Sequence, residues 1–281
     1  MLYQKTLGSA FSIEGIGVHS GKICSVKVSP AEENTGIMFQ NSHELFPAIY
    51  NNVISTSLCT QISLGNTALV NTIEHLMAAL YGMQISNAII EPEGTEIPIL
   101  DGSSLRFVEL INQAGIVQQK SARKTIKILK KLKITDGDKF EEMIPDESFS
   151  ISCSCDFQKK GLVTSPVHFD LNKNNFEKEI APARTFGFFN EVEFIRKNNL
   201  AMGASMDNTV VYDDKGQPMN PEGLRMENES AKHKVLDLIG DLSLSGYWIQ
   251  GKVNCFCPSH KLNNLIVRMI FNSSENYQII Q

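Results

Sequence analysis

The segment His233-Lys-Val-Leu-Asp-Leu-Ile-Gly-Asp-Leu242 carries the strongest structural signal in this chain. Its pattern predicts a helix from about Asn228 to Leu244, because apolar residues fill most positions and three acidic or imidazole side chains recur four residues apart. A helix that is apolar on most sides is buried between other elements. The polar side chains then form one narrow stripe inside the protein, where unpaired charges are costly.

The polar stripe has the spacing of a metal site. Residues i and i+4 lie about 6 Å apart on one helix face, so His233 and Asp237 can bind one metal ion. Asp241, one turn further on, can accept a hydrogen bond from a ligand or a neighbouring histidine. A His and an Asp at this spacing are more often a solvent-facing pair, so the spacing alone does not establish a site.

A second polar pair, Glu74 and His75, lies in a helix predicted from Asn71 to Gly82, with Asn71 or Thr72 as its cap. Adjacent helical residues diverge by about 100°, so the two side chains cannot ligate one ion in the same way. This geometry suits a metal-binding His75 and a Glu74 that reaches the metal's water. The alternative is an acid near the helix start beside an ordinary core histidine.

Together, His75, His233 and Asp237 supply two imidazoles and one carboxylate, which leaves the fourth position of a zinc ion open for water. His260 is available to protonate a departing amine. A non-catalytic protein with structural zinc would instead need a closed, four-ligand site. The pattern therefore favours a metal-dependent hydrolase.

The rest of the chain predicts an α+β fold of two similar domains that face each other, each a β-sheet with packed helices. The polar stretch from Gln118 to Lys124 is interpreted as the link between a domain of residues 1–119 and a domain of residues 125–281. Alternation and turn residues predict strands over 11–17, 23–28, 36–39, 88–90, within 126–134 and over 252–257, a helix over 104–114, and a last helix or strand from about 262.

Composition excludes several classes of protein. The chain of 281 residues has a net charge of -5, which argues against nucleic-acid binding. No secretory signal and no apolar run long enough to span a membrane are present, so we expect a cytoplasmic enzyme with reduced thiols. Two Cys-x-Cys pairs, at 153/155 and 255/257, lie in alternating stretches and are interpreted as core residues.

Several segments, in order and over nearly the whole chain, resemble the UDP-3-O-acyl-N-acetylglucosamine deacetylases, zinc enzymes of early lipid A synthesis in Gram-negative bacteria. The matching segments are Gly15-Ile-Gly-Val-His-Ser-Gly21, Thr72-Ile-Glu-His-Leu-Met-Ala-Ala-Leu80, Ile97-Pro-Ile-Leu-Asp-Gly-Ser103, Ala183-Arg-Thr-Phe-Gly-Phe188, His233 to Leu242 and Ser259-His-Lys-Leu-Asn-Asn264.

The resemblance implies an active site between the two domains and one zinc ion per chain. It makes Glu74 the general base and His260 the general acid, with Asp241 holding His260. Thr185 would donate to the oxyanion, and Lys234 would face the polar part of the substrate. The resemblance also implies substrate contacts by Cys59, Asp156, Phe157, Phe186, Phe188, Val192, Ala204 and His19.

The segment from about 186 to 211 is rich in apolar residues. These residues either belong to the ordinary core or, as the resemblance implies, form an insert that encloses the substrate's acyl chain. The chain departs from the family where Cys257, Pro258 and Ser259 replace a basic, a small and a glycine residue. Ala204 replaces a second glycine. These departures leave open a related amidase that acts on another acylated amine or nucleotide sugar. We expect a monomer with a small-molecule substrate.

Overall fold

The computed structural model describes residues 2–65, 68–171, 176–198 and 200–281. It is a mixture of β-sheets and helices, and the predicted α+β class is confirmed. One continuous hydrophobic core includes residues from both halves of the chain. Of the expected insert, Asn199 lies outside the described residues.

The first half contains a five-stranded sheet with the order β2-β3-β9-β4-β5 and a three-stranded sheet with the order β6-β7-β8. The strands are β1 (Tyr3–Leu7), β2 (Phe11–Ile16), β3 (Ile23–Pro30), β4 (Ile37–Asn41), β5 (Glu44–Pro47), β6 (Val53–Ser55), β7 (Gln61–Ser63), β8 (Leu69–Val70) and β9 (Ala88–Glu93). The helices are α1 (Glu74–Gly82) and α2 (Leu105–Ala114).

The second half contains a seven-stranded mixed sheet in which β18 pairs with β13, β14 and β11 along its length. Its strands are β11 (Thr125–Ile128), β12 (Leu132–Asp136), β13 (Lys139–Ile144), β14 (Phe149–Ser154), β15 (Val167–Asp170), β18 (Trp248–Phe256) and β19 (Tyr277–Ile280). The helices α4 (Glu229–Ser243) and α5 (His260–Phe271) pack on this sheet.

The expected insert forms a small separate unit. Strands β16 (Phe186–Phe188) and β17 (Val210–Tyr212) pair in parallel, and helix α3 (Phe189–Lys197) follows β16 directly. The backbone of Met202 and Gly203 donates hydrogen bonds to His19 and Val18. These bonds connect the insert, which belongs to the second half, to the loop between β2 and β3 in the first half.

The local structure in the middle of the chain differs from its sequence interpretation in two places. The stretch predicted as a link is mostly strand β10 (Ile116–Ala122), which pairs antiparallel with β1. The segment is polar because β1 and β10 form a two-stranded sheet in which the residues of β10 are exposed or half-buried. The alternating stretch over 126–134, in which the sequence predicts strand structure, forms two strands, β11 and β12, separated by a break at 129–131.

Helix α1 begins later than predicted. The residue before it is Ile73, and neither Asn71 nor Thr72 caps the helix; Thr72 has a φ of 59° and donates to Glu96 instead. The predicted end of α2 is confirmed, because Gly115 has a φ of 78° there. Helix α5 starts at His260 with Ser259 as its cap.

Helices α1 and α4 are buried on nearly all sides and cross at close range. At the crossing, a Cβ added to Gly240 would collide with the backbone oxygen of Glu74. The absence of a side chain at Gly240 therefore lets the two polar stripes approach each other. This contact sets the position of the candidate site.

Candidate active site

The crossing of α1 and α4 brings together the three predicted metal ligands. One atom from each of His75, His233 and Asp237 lies within 4.8 Å of the other two. The Nε2 atoms of His233 and His75 lie 3.3 Å and 3.7 Å from Asp237 Oδ1. All three residues are buried, at 4%, 2% and 3% exposure for His75, His233 and Asp237 respectively.

The unsatisfied atoms of this cluster fit a metal ion. Asp237 Oδ1 is buried without a hydrogen-bond partner among the described residues, although its position faces both imidazoles. The Nδ1 of His233 lies 3.0 Å from the carbonyl oxygen of Ala183, a bond that fixes Nδ1 as the donor and leaves Nε2 free to ligate. Two histidines and one carboxylate are a donor set typical of catalytic zinc.

The charge states also suit ligation. Burial, together with the neighbouring His233, lowers the pKa of His75 to about 3, so its imidazole is neutral and could bind a metal ion. Burial also lowers the pKa of His233. Burial raises the pKa of Asp237, but His233 and Lys234 outweigh this and hold it below its ordinary value. Two neutral imidazoles and one carboxylate therefore face the cluster.

A second chain of contacts lies beside the cluster. His260 Nδ1 lies 2.8 Å from Asp241 Oδ2, and His260 Nε2 lies 3.7 Å from Glu74 Oε1. Asp241 also accepts hydrogen bonds from Thr60 Oγ1 at 2.5 Å and Asn263 Nδ2 at 2.7 Å. The imidazole of His260 is therefore aligned by Asp241 and points its other nitrogen at Glu74.

The surroundings of Glu74 and His260 raise the pKa of both groups above their ordinary values. Burial raises the pKa of Glu74 to about 7, against the opposing effect of His260. Burial lowers the pKa of His260, but Asp241 and Glu74 outweigh it and raise the value to about 9. At neutral pH, His260 is thus a cation, and Glu74 can exchange a proton with water.

Of two further predicted residues, Lys234 contacts the cluster, and Thr185 lies near a partner of the cluster in the sequence. Lys234 Nζ forms an ion pair with Asp237 Oδ2 at 2.9 Å, and its side chain is 22% exposed. Thr185 is two residues beyond Ala183, the partner of His233. Arg184 holds this segment through an ion pair with Glu229 at 2.8 Å, and the Thr185 backbone donates to Gly102.

Three predicted substrate contacts form one aromatic cluster. The ring centroid of Phe157 lies 5.3 Å from that of Phe186 and 6.0 Å from that of Phe188. Phe186 also meets the ring of His233 edge-on at 6.3 Å, and the ammonium of Lys234 lies 5.9 Å from its centre. The aromatic cluster therefore borders His233, one of the three candidate metal ligands.

The other five predicted contacts lie in three places. His19 and Cys59 are beside the acid–base pair: His260 helps burial to lower the pKa of His19, and Glu74 helps burial to raise that of Cys59 to about 12. Val192 and Ala204 lie in the insert, on α3 and in a turn. The exposed side chain of Asp156 accepts from the backbone of Gln158, and its backbone donates to Cys257 Sγ.

The residues that support these groups are not predicted by the sequence. Thr60 contacts the carboxylates of both Asp241 and Glu74, because its hydroxyl donates to Asp241 and its backbone N–H donates to Glu74. Glu96 accepts from the backbone of His19 and Ser20 and so fixes the β2–β3 loop. Among these supporting residues, only Asn263 has a sequence signal, its position within the Ser259 to Asn264 segment.

A buried acid behind His260 likewise has no signal in the sequence. Glu141 on β13 is fully buried, and neither carboxyl oxygen has a hydrogen-bond partner among the described residues. Burial and the charge of Asp241 raise its pKa well above the ordinary value, which favours its uncharged form. The strand alternation that buries Met143 buries Glu141 as well.

None of the described helices is both long enough and apolar enough to cross a membrane.

Comparisons with known proteins agree with one another. A family model described as "LpxC: UDP-3-O-acyl N-acetylglycosamine deacetylase" matches residues 4–272. Proteins named UDP-3-O-acyl-N-acetylglucosamine deacetylase from Shewanella piezotolerans and Shewanella halifaxensis are 40% identical over 286 residues, which cover 100% of this chain and 93% of theirs. One of the same name from Nitratiruptor is 39% identical over 283 residues, covering 99% and 93%. With a match over nearly its whole length, the chain belongs to the UDP-3-O-acyl-N-acetylglucosamine deacetylase family.

Proposed function

We propose that this protein hydrolyses the N-acetyl group of a UDP-3-O-acyl-N-acetylglucosamine and releases acetate, the committed step of lipid A biosynthesis, in the cytoplasm. The observation that supports it most is the pairing of a buried metal-ligand cluster with an adjacent base and acid, Glu74 and His260. A structural metal site gives no reason for this pairing. The names of the relatives supply the substrate.

The metal we propose is zinc, held by His75, His233 and Asp237. When bound there, zinc supplies Lewis acidity to the acetamide carbonyl and to water. The orphaned Oδ1 of Asp237 and the two neutral imidazoles support this assignment. The hydrogen bond from His233 to Ala183 keeps one ligand nitrogen oriented while substrate exchanges.

Proton transfer is assigned to the chain's own side chains. Glu74 takes a proton from the attacking water, since its pKa of about 7 allows it to be ionised near neutral pH. His260, cationic and held by Asp241, delivers a proton to the glucosamine nitrogen as the C–N bond breaks. Thr185 and Lys234 stabilise negative charge that develops on the carbonyl oxygen and the substrate's polar part.

The acyl chain of the substrate is assigned to the insert over about 186–211. Its helix and turns expose apolar side chains, with Phe189 at 58% and Met202 at 52% exposure. A buried methylene is worth roughly 0.8 kcal/mol, so a long acyl chain would bind here with substantial affinity. The link from Met202 to the His19 backbone brings this surface to the β2–β3 loop.

One assay separates this function from that of a related amidase. Acetate release is measured with purified, zinc-loaded protein on the acylated UDP-sugar and on the same sugar without its acyl group. We expect kcat/KM for the acylated substrate to be at least 100-fold higher, given the apolar area available. Equal rates on both substrates would contradict the acyl assignment.

The zinc content of His233→Ala, measured in parallel, should fall well below one zinc per chain.

A further inference from the structure

A cleft lies between the two halves of the chain, and its lining, over the described residues, includes none of the proposed metal ligands. It has a volume of about 490 Å³. Tyr81 at the end of α1 and Ser243 at the end of α4 line it. Each is six residues beyond a metal ligand, His75 or Asp237, which is about 9 Å along a helix. The described residues that line the cleft include none of the metal ligands and neither member of the acid–base pair.

The central polar group of this cleft is the guanidinium of Arg123. The residue is only 8% exposed, and its Nε is buried without a hydrogen-bond partner. Over the described parts of the chain, Arg123 has no carboxylate partner and no side-chain hydrogen bond. A buried cation without an anion is costly, and burial accordingly lowers the pKa of Arg123. We call the cavity the Arg123 cleft.

Arg123 is held in place by stacking. Its guanidinium carbon lies 3.9 Å from the ring centre of Trp248, and the ring of Tyr81 stacks on Trp248 at 4.2 Å. At these distances the two groups cannot share one face, so they cover opposite faces of the indole. Tyr81 is fixed in turn because its hydroxyl accepts from the backbone of Ile249. The cation is therefore preorganised.

The lining of the Arg123 cleft favours a negatively charged ligand with a flat group. Lys124 is a second cation in the lining, and no acidic residue is among the described residues that line it. Tyr50 and Phe271, which stack on each other with ring centres 5.0 Å apart, form an aromatic wall. Arginine binds carboxylate and phosphate oxygens in pairs and also stacks on planar groups.

We propose that the Arg123 cleft binds a small anion that carries a planar group, a carboxylate or phosphate monoester attached to a ring, with Arg123 bound to the anion. Such a ligand would neutralise the buried guanidinium and cover the aromatic wall. The cleft opens to solvent between the two halves, so a small molecule can enter without unfolding either one. The proposal is independent of the reaction at the metal cluster.

The chain's only tryptophan provides a local test, because Trp248 contacts Arg123 directly. The fluorescence of Trp248 is titrated with phenyl phosphate, which has both features, with inorganic phosphate, which has only the charge, and with phenol, which has only the ring. We expect a saturable change with phenyl phosphate, at an affinity at least tenfold higher than for either other probe. Absence of saturation, or equal affinity for inorganic phosphate, would overturn the proposal.

Variants assign the binding to the cleft. Arg123→Gln should weaken phenyl phosphate binding at least tenfold, and Arg123→Lys less, because a lysine keeps the charge without the planar fork. Arg106→Gln, an exposed arginine on α2, is the matched control and should bind as wild type does. Because a change at Arg123 can itself alter the fluorescence of Trp248, each affinity is also measured by isothermal titration calorimetry. Unchanged binding in folded Arg123→Gln would exclude this cleft as the site.

Discussion

Four buried carboxyl groups near the candidate site differ in the groups that surround them. Asp237 and Asp241 face cations or imidazoles and several donors. Glu74 receives one backbone hydrogen bond and lies farther from His260. Glu141 has no partner among the described residues. The contacts of each carboxyl group therefore suit it to a different one of the proposed roles.

For an individual residue of the site, Glu74→Gln should lower kcat at least 100-fold, because the amide keeps the shape but cannot take a proton. Zinc content should remain that of wild type, since Glu74 is not among the three ligands. Steady-state rates and metal analysis on the same preparation check both points. The exposed Glu44→Gln on β5 is the control, and a full rate in Glu74→Gln would refute the proposed base.

The activity should also fall as the pH rises through about 9, because His260 must be protonated to act as the acid. Asp241→Asn removes the anion that raises this pKa, so the basic limb of the rate profile should move about one to three pH units lower. Profiles of kcat against pH for both proteins measure this shift. If the basic limb of the Asp241→Asn profile lies at the same pH as in wild type, the limb does not report the titration of His260.

The same raised pKa has a consequence for stability. His260 binds its proton more tightly in the folded protein than at its ordinary pKa of 6.5. Its contribution to the free energy of unfolding is therefore fully present below 6.5 and is lost as the pH rises through about 9.

Among the secondary-structure elements, the crossing of α1 and α4 depends on a missing side chain. Gly240→Ala places a Cβ against the backbone oxygen of Glu74, which cannot rotate away as a side chain can. We expect the free energy of unfolding to fall by about 1–3 kcal/mol. Denaturant titration measures it, and Gly187→Ala, where an added Cβ meets no atom within 4 Å, is the control. Equal stability of the two variants would show that the helices can separate at no cost.

Across the molecule, the candidate metal-ligand cluster connects the two halves of the chain. His75 comes from the first half, and His233 and Asp237 come from the second. A bound metal should thus stabilise the folded protein against unfolding, and a chelator should lower its Tm. Calorimetry with and without chelator checks this, and added zinc should restore the Tm. His75→Ala should lose most of the response; a full response in that variant would place the stabilising metal elsewhere.

Features that depend on local geometry follow from the amino-acid sequence alone. A helix places residues four apart on one face, so the spacing of His233, Asp237 and Asp241 predicts their common orientation. Apolar flanks likewise predict that α1 and α4 are buried. The family motifs then join Glu74 and His260 to these residues, although they are far apart in the chain.

The groups that meet across the chain depend instead on packing. Thr60 and Asp241 are 181 residues apart, and no periodic pattern marks Thr60 as its partner. Strand β10 has the sequence character of a link, and no local pattern predicts its pairing with β1, which lies more than a hundred residues earlier. The pKa of His260, and the lack of a hydrogen-bond partner for Arg123 Nε among the described residues, depend on burial and on neighbours brought in by packing. Spacing is fixed by the backbone of one element, whereas partners and burial are fixed by how elements pack.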